Sequence, residues 1–550
     1  MQATEKQFYS DSQAFLDKLL EEWPVLATEL GDHRYDDQLG ERDQEALDRQ
    51  RALVVRARDQ FQSHATEGWS LDGQIDRTLM IQLCKDFLRG YDRIRREYRD
   101  PGTVVSDCTV AIYLLVVRDF APLPERLRSI LGRLRQIPRA LRVGRSLIIP
   151  AEVPPIWAEI ALESTQRSVG LFAGFIPSLA EAAPELKEEI VSAAQAAAAA
   201  LQEHAVWIQE SVLPQAAGEF AVGKELFDEL LRENHMVGYD ADELRATGWK
   251  LLEDTRRQME ALATEMDPDK SASELLKESK KVHPTADGLL DAYQQKMDEA
   301  RQFVIDHEIV SIPEGESIQV VPTPAFLRPI IPYAAYMMPG FLEEMQEGVF
   351  LVTPVDEEAS PKAAESKLRG HPYADIPVTA LHEAYPGHHL QLVFANTLDS
   401  VPRKVGGFLS TLFVEGWAFY CEELMEQLGF VDEPIQRLAR LQAQMWRASR
   451  IVIDASLHCG LMTVEEAIKF LVEQADLESD DAKAEVRRYT QTPTQPQSYL
   501  MGKLQIIKII EEYKRRNPET TMRQMHDAIL SCGSLPPRLM RLRLFGPAGE

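Results

Sequence analysis

The chain has 550 residues, 45% of them hydrophobic, and its 60 Lys and Arg against 87 Asp and Glu leave a formal charge of −27 at pH 7. That acidic excess repels polyphosphate and anionic lipid, so neither nucleic acid nor a membrane surface is an expected partner. The five cysteines, Cys84, Cys108, Cys421, Cys459 and Cys532, are odd in number and form no CxxC pair, which fits a reducing compartment and argues against a zinc–thiolate site.

The opening residues, MQATEKQFYSDSQAFLDKLLEEW, lack a basic segment followed by an unbroken apolar stretch, so no secretory signal is read there. The longest apolar runs, near Val110–Val117 and Leu147–Pro150, fall short of the roughly 18 residues that cross a bilayer. A soluble, cytoplasmic protein is expected.

Apolar residues at i, i+3, i+4 predict helices over Phe8–Leu20, Asp43–Gln62, Gln74–Arg99, Leu123–Gln136, Trp157–Ala180 and Leu186–Val212. The Ala193–Ala200 tract, interrupted only by Gln195, predicts a buried helix whose small side chains let a neighbour pack closely. Asp240 or Asp242 can cap a helix over Glu243–Asp267, and the next opens at Pro284–Asp287 and ends near Val304. From Glu308 to Pro354 the texture turns to Val, Ile, Pro and Tyr, which predicts short strands at Ile318–Pro322 and Gly348–Pro354 in one small sheet. Helical texture returns near Ile376 after a polar turn at Leu368–Pro372, with loops near Ser400–Pro402, Pro434 and Gln491–Gln497. The expected fold is mainly α: an N-terminal helical region over 1–305 and a metal-site region over 306–550, joined in one continuous body.

Chemistry concentrates at His382-Glu383-Ala384-Tyr385-Pro386-Gly387-His388-His389. His382-Glu383 opens like HExxH, in which two histidines one turn apart bind zinc and the Glu serves as base. Here the position four residues on is Pro386, and the next histidines come six and seven residues after His382. In a straight helix His388 points about 120° away from His382, and His389 shares its face about 10.5 Å further along. Pro386 cannot donate to the carbonyl of His382 and Gly387 relaxes the chain, so a local bulge is expected that can bring His388 onto the metal. A catalytic zinc takes three protein ligands and leaves one position open. Glu415, in Phe413-Val414-Glu415-Gly416-Trp417-Ala418-Phe419-Tyr420, is the best candidate for the third, being a carboxylate on an otherwise apolar helix face.

These residues carry a resemblance. His382–Gln391 reads HExxPGHHLQ and Glu415–Leu424 reads EGWAxYxExL. Gly31-Asp32-His33-Arg34-Tyr35-Asp36, the Arg450, Asp454 and His458 helix, and Pro493-x-Gln495-x-x-Ser498-Tyr499-x-x-Gly502 extend the pattern along nearly the whole chain. In this it resembles the bacterial family catalogued as domain of unknown function 885. The resemblance implies a large helical, gluzincin-like (zincin-type) body related to oligopeptidases and carboxypeptidases, with the small sheet beside the motif helix. It implies His382, His388 and Glu415 as zinc ligands and Glu383 as general base. In such relatives the residue after Pro-Gly-His is the more variable, which favours His388 over His389 and leaves His389 to support the ligands from behind. Where the family often has Pro-Gly-Gln, this chain reads Pro493-Thr494-Gln495.

On this reading zinc acidifies a water and polarises the scissile carbonyl, while Glu383 takes the proton and passes it to the leaving amine. Tyr499 or His458 can supply the hydrogen bond that the developing oxyanion needs. Arg450, Asp454 and His458, spaced i, i+4, i+8, share a helix face, so Asp454 can orient His458 or pair with Arg450. Arg447, Arg450 and Lys503 are candidate anchors for a substrate carboxylate. Tyr336, Trp417 and Tyr420 are candidates to line the cleft, and Gly348–Pro354 is expected as an edge strand that binds a peptide backbone by strand addition. The expected activity is zinc-dependent hydrolysis of short peptides. The competing readings are a zinc hydrolase of a non-peptide amide and a helical binding protein with a vestigial site.

Overall fold

A computed structural model describes residues 3–324, 328, 331, 333–356 and 358–547. The chain divides into two compact units, Met1–Phe220 with Gly340–Glu344, and Ala221–Pro339 with Met345–Glu550. The change of texture near residue 306 falls inside the second unit.

In the first unit the predicted amphipathic stretches form helices over Ala3–Glu22, Gln44–Ser63, Leu71–Arg89, Leu123–Leu147, Pro155–Gly170 and Lys187–Trp207. Thr103–Val117, which contains one of the two apolar runs, is a further helix. Three stretches that read as continuous are broken by wide turns at Gly90–Ile94, Leu171–Phe175 and Ile208–Val212. Leu123–Leu147 runs on through Pro138, beyond the expected end at Gln136, because Ile137, Leu141 and Gly144 continue its buried stripe. Burying that stripe offsets the roughly 3 kcal/mol that an internal proline costs. The alanine tract behaves as expected: Ala193, Ala194, Ala197, Ala198 and Ala200 are buried and their helix packs on Leu123–Leu147 and Pro155–Gly170.

The Gly31–Asp36 motif is architectural. Gly31 has φ +91°, and a Cβ there would lie 2.7 Å from the Glu343 nitrogen, so neither the conformation nor the space admits a side chain. Thr28 donates to Asp36 at 2.6 Å, and the buried Arg133 donates to the Thr28 hydroxyl and to the Gln38 carbonyl. His33 stacks on Phe120. Burial works to lower its pKa, but hydrogen bonds to Asp36 and Glu343 raise it to about 9.

The second unit holds the sheet and the motif. Asp240, not Asp242, caps Ala241–Met266, with Glu243 returning the bond to its backbone. Leu289–Asp306 follows. Three strands, β1 (Ser317–Pro322), β2 (Ala334–Met337) and β3 (Glu347–Val352), are ordered β1-β3-β2, with β1 parallel and β2 antiparallel to β3. Phe350, Leu351 and Val352 are fully buried. The stretch expected as an edge strand is therefore central, paired on both sides, and strand addition to it is excluded; among the described residues the edges are β1 and β2. Ala325, Phe326, Leu327, Pro329, Ile330 and Pro332, within the same Val- and Pro-rich stretch, lie outside the described residues.

Helices then follow over Ile376–Glu383 (the motif helix), His388–Asn396, Leu412–Gln427 (the glutamate helix), Pro434–His458 (the arginine helix) and Ser498–Arg516 (the tyrosine helix). The loops predicted near Ser400–Pro402 and Pro434 lie at 397–400 and 428–433, and each runs into a helix with its proline in the first turn, where the missing N–H costs nothing. The glutamate and tyrosine helices cross at two glycines. A Cβ on Gly502 would lie 2.0 Å from the Leu412 oxygen, and one on Gly416 would lie 2.4 Å from the Gly502 carbonyl carbon. This close approach sets the first turns of the two helices, with Glu415 and Tyr499, side by side. Among the described residues no single helix is long and apolar enough to cross a membrane.

Candidate metal centre

The motif helix ends at Glu383 because Pro386 offers no N–H to the carbonyl of His382. The Tyr385–Pro386 bond is cis. The chain folds back so that Gly387 N donates to Leu381 O at 3.1 Å, and a new helix starts at His388. The expected bulge is thus a complete break between two helices. Gly387 permits it: a Cβ there would sit 1.8 Å from the His382 oxygen. The glutamate helix grips the break from outside, since the buried Trp417 donates its indole N–H to the Pro386 carbonyl at 2.8 Å. Trp417 is therefore a clamp and not a cleft wall. Tyr420 is likewise buried, its hydroxyl 3.0 Å from His526 Nε2.

The break turns His388 back towards His382. Their rings are perpendicular with centroids 4.8 Å apart, and ligand-capable atoms of His382, His388 and Glu415 all lie within 4.8 Å of one another. His388 Nε2 and Glu415 Oε2 are 3.4 Å apart. Two donors of a tetrahedral zinc with arms of about 2.0–2.1 Å are separated by about the same distance. His382 Nδ1 is 2.8 Å from Glu422 Oε1, which directs the other ring nitrogen towards the trio and fixes the tautomer in the way carboxylates behind metal-bound histidines do. Glu422 lies seven residues, two turns, after Glu415 on the same helix face and belongs to the EGWAxYxExL pattern; that spacing was the available signal for its role.

Negative charge dominates the cluster. Burial works against the charged form of His388, but Glu415, Glu383 and Glu422 raise its pKa. Burial likewise works to raise the pKa of Glu415, and His388, His382 and Arg450 hold it below the ordinary value. His388 Nδ1 is buried without a hydrogen-bond partner among the described residues. Two imidazoles and a carboxylate with surplus negative charge suit a divalent cation of the zinc type, with a coordination position to spare.

Glu383, the last residue of the motif helix, is partly buried. Its charge reaches His388 and Tyr293. Tyr499 is linked to the trio through Gln495, whose Nε2 lies 3.4 Å from its hydroxyl and 3.5 Å from Glu415 Oε1. Burial and the Glu415 charge raise the pKa of Tyr499, so its hydroxyl keeps the proton it needs as a hydrogen-bond donor.

Other candidates are engaged elsewhere. His458 is fully buried, stacked on Phe227 with Nε2 2.9 Å from the Tyr489 carbonyl oxygen; it is a packing residue two turns along from Arg450, outside the cluster. His389 turns away from His382, with Nδ1 3.0 Å from the Tyr336 hydroxyl and Nε2 2.8 Å from Glu316 Oε2. It ties β2 and the residue ahead of β1 to the helix that starts at His388, and hydrogen-bonds to no member of the trio. Arg450 is used by Glu485 and Tyr489, at 2.9 and 2.8 Å. Lys503 is used by Glu423 and Gln444, at 2.5 and 3.0 Å.

Asp454 neither orients His458 nor pairs with Arg450. Its Oδ1 accepts the N–H of Thr494 at 3.1 Å. Thr494 has φ +68°, a conformation that favours glycine. Its hydroxyl lies 3.0 Å from His235 Nε2, so Asp454 and His235 together hold the loop that presents Gln495. Burial raises the Asp454 pKa well above its ordinary value of 3.8, against the N–H groups of Thr494 and Gln497 and the charge of Arg488. An acid whose folded pKa is raised is neutral in the fold and ionised when unfolded, so stability falls as pH rises from about 3.8 to the folded pKa. Asp454→Asn removes that cost: its melting temperature is expected to match the parent near pH 4 and to exceed it at pH 8. Equal pH slopes in the two proteins would show that Asp454 is ionised in the fold.

A search of curated proteins finds no match. Two solved structures are similar over almost their full length. One is described as "a putative lipoprotein of unknown function from Shewanella oneidensis" (24% identity, TM-score 0.79, covering 98% of this chain and 99% of that one). The other is "the putative lipoprotein from Colwellia psychrerythraea" (17% identity, TM-score 0.82, 98% of each chain). At these identities the likeness is one of fold. Residues 24–544 match the family described as "Bacterial protein of unknown function (DUF885)", and the chain belongs to that family.

Proposed function

We propose that His382, His388 and Glu415 hold a zinc ion and that the protein is a zincin-like metallopeptidase that cleaves short peptides. The observation that carries this reading is the trio itself, two imidazoles and one carboxylate brought within 4.8 Å by a helix break, with Glu422 bonded behind His382 and a further carboxylate, Glu383, on the residue next to a ligand. When bound, zinc supplies Lewis-acid polarisation of the scissile carbonyl and makes water acidic enough to attack at neutral pH. Glu383 takes up the proton that the attacking water loses and delivers it to the amide nitrogen as the C–N bond breaks, so that acid and amine leave with atoms balanced. The Tyr499 hydroxyl donates a hydrogen bond to the oxygen that gains charge. Gln495 steadies both Tyr499 and Glu415.

The test begins with metal content. Purified protein incubated with zinc and desalted is expected to retain one ion per chain, and His382→Ala far less, measured by plasma mass spectrometry. Equal and negligible retention by both removes the metal site. The loaded protein is then given a mixed library of short peptides, and absence of any cleavage removes the peptidase assignment while leaving the metal site standing.

A further inference from the structure

Arg447, Arg450 and Lys503 are the three candidate anchors for a substrate carboxylate, and the structure separates them. Arg450 and Lys503 each have a carboxylate partner, Glu485 and Glu423. Arg447, one turn before Arg450 on the arginine helix, has none among the described residues. Its Nε is buried without a hydrogen-bond partner, and Nη1 only reaches the Ala443 carbonyl of its own helix at 3.5 Å, at the outer limit of such a bond. What surrounds its guanidinium is aromatic: the rings of Trp446, Phe419 and Tyr499, with centroids 4.7, 5.5 and 5.7 Å away. These faces hold the plane of the guanidinium without neutralising it.

Arg447 is partly buried, and a guanidinium partly withdrawn from water is costly unless an anion meets it. The nearby acids are committed, Glu415 to His388 and Glu422 to His382. Burial and the charge of Arg450 disfavour the charged form of Arg447 and outweigh the opposing pull of Glu422, Tyr499 and Glu415, so the position gains from an added anion. Its fork of N–H donors matches a carboxylate, which it can bind through two parallel bonds.

We propose that Arg447 is the anchor for the free α-carboxylate of the substrate, so that the protein acts as an exopeptidase at the carboxyl end of short peptides. This rests on the zinc-peptidase reading for the cleavage, but not for the binding. The register follows from Tyr499. Its ring centre is 5.7 Å from the Arg447 guanidinium carbon, and its hydroxyl points to the Gln495 and Glu415 side. With the scissile carbonyl at that hydroxyl and the terminal carboxylate at Arg447, the gap takes one or two extended residues of about 3.5 Å each. The leaving fragment is thus an amino acid or a dipeptide.

Binding is read first, in full-length zinc-loaded protein carrying Glu383→Gln, by calorimetric titration with N-acetyl-dialanyl-phenylalanine and with its C-terminal carboxamide. The free acid is expected to bind at least roughly tenfold more tightly, the scale of a charge-assisted hydrogen-bonded pair. Adding Arg447→Gln is expected to erase the difference, and Arg447→Lys to keep part of it. Equal affinity for acid and carboxamide, or binding of neither, in the Glu383→Gln protein overturns the anchor without reliance on any Arg447 variant. A preference that survives Arg447→Gln overturns it too. Hydrolysis by the parent protein then separates the two claims. Preference for the acid with cleavage of neither probe keeps the anchor and removes the peptidase, whereas equal cleavage of both keeps the peptidase and removes the anchor.

Discussion

Glu383→Gln protein is expected to bind zinc as the parent does and to hydrolyse peptides roughly 10²–10⁴-fold more slowly, the range that a positioned general base contributes. The substitution keeps the shape and the hydrogen-bonding atoms of the side chain and removes only its basicity. It is tolerable because Glu383 carries no structural load: it is partly buried at the end of the motif helix, and among the described residues no hydrogen bond or ion pair depends on it. Its stability should therefore stay within about 0.5 kcal/mol of the parent. Glu415 and Glu422 offer a contrast, since each is bonded to a histidine of the trio and its loss disturbs metal binding as well as rate. Zinc content, denaturation midpoint and kcat, measured on the same preparations, distinguish the roles. Parental turnover refutes the base, and loss of zinc from Glu383→Gln would make Glu383 a ligand instead.

The cluster of His382, His388 and Glu415 was legible in the sequence because its members are chemically conspicuous: a His-Glu pair, a Pro-Gly interruption, and a glutamate in an apolar helix. The depth of the interruption was not. Pro386 alone predicts a lost hydrogen bond, whereas the full break is also held from another helix, where Trp417 donates to the Pro386 carbonyl. Partnerships between helices were the hardest to read. Lys503 meets Glu423 because the Gly416–Gly502 crossing slides their helices into register, and nothing in either local sequence states that neighbour. Arg450 and Arg447 look alike in sequence, yet only the former is met by a glutamate from the helix over Ser479–Tyr489. His458 shares a face with Arg450 and Asp454, but a helix face records direction and not distance, and two turns carry it out of the cluster. The strand at Glu347–Val352 was located while its rank in the sheet was not, since the pairing order depends on β2, a four-residue segment too short to announce itself.

Gly387→Ala should be among the most damaging single-methyl additions available to this chain. Its Cβ would stand 1.8 Å from the His382 oxygen and 2.5 Å from both the His382 carbonyl carbon and the Leu381 oxygen. All three are backbone atoms, so no side chain can rotate to make room, and the two helix ends must move apart. The movement falls on the proposed metal site directly, because His382 carries the obstructing carbonyl and His388 is the next residue. A loss of about 3 kcal/mol or more is expected from overpacking against backbone, together with a fall in zinc affinity of roughly 10–100-fold as the two imidazoles lose their mutual placement. Gly407→Ala is the control: the nearest atom to its added Cβ is a Val414 methyl at 3.6 Å, an ordinary contact, so its effect should stay below about 1 kcal/mol. Urea denaturation with and without zinc, and competitive zinc titration, measure both quantities. If Gly387→Ala keeps parental zinc affinity, the placement of His388 does not depend on the close contact between Gly387 and the His382 carbonyl. The break would then be only one of several backbone paths by which this sequence brings its second histidine to the first.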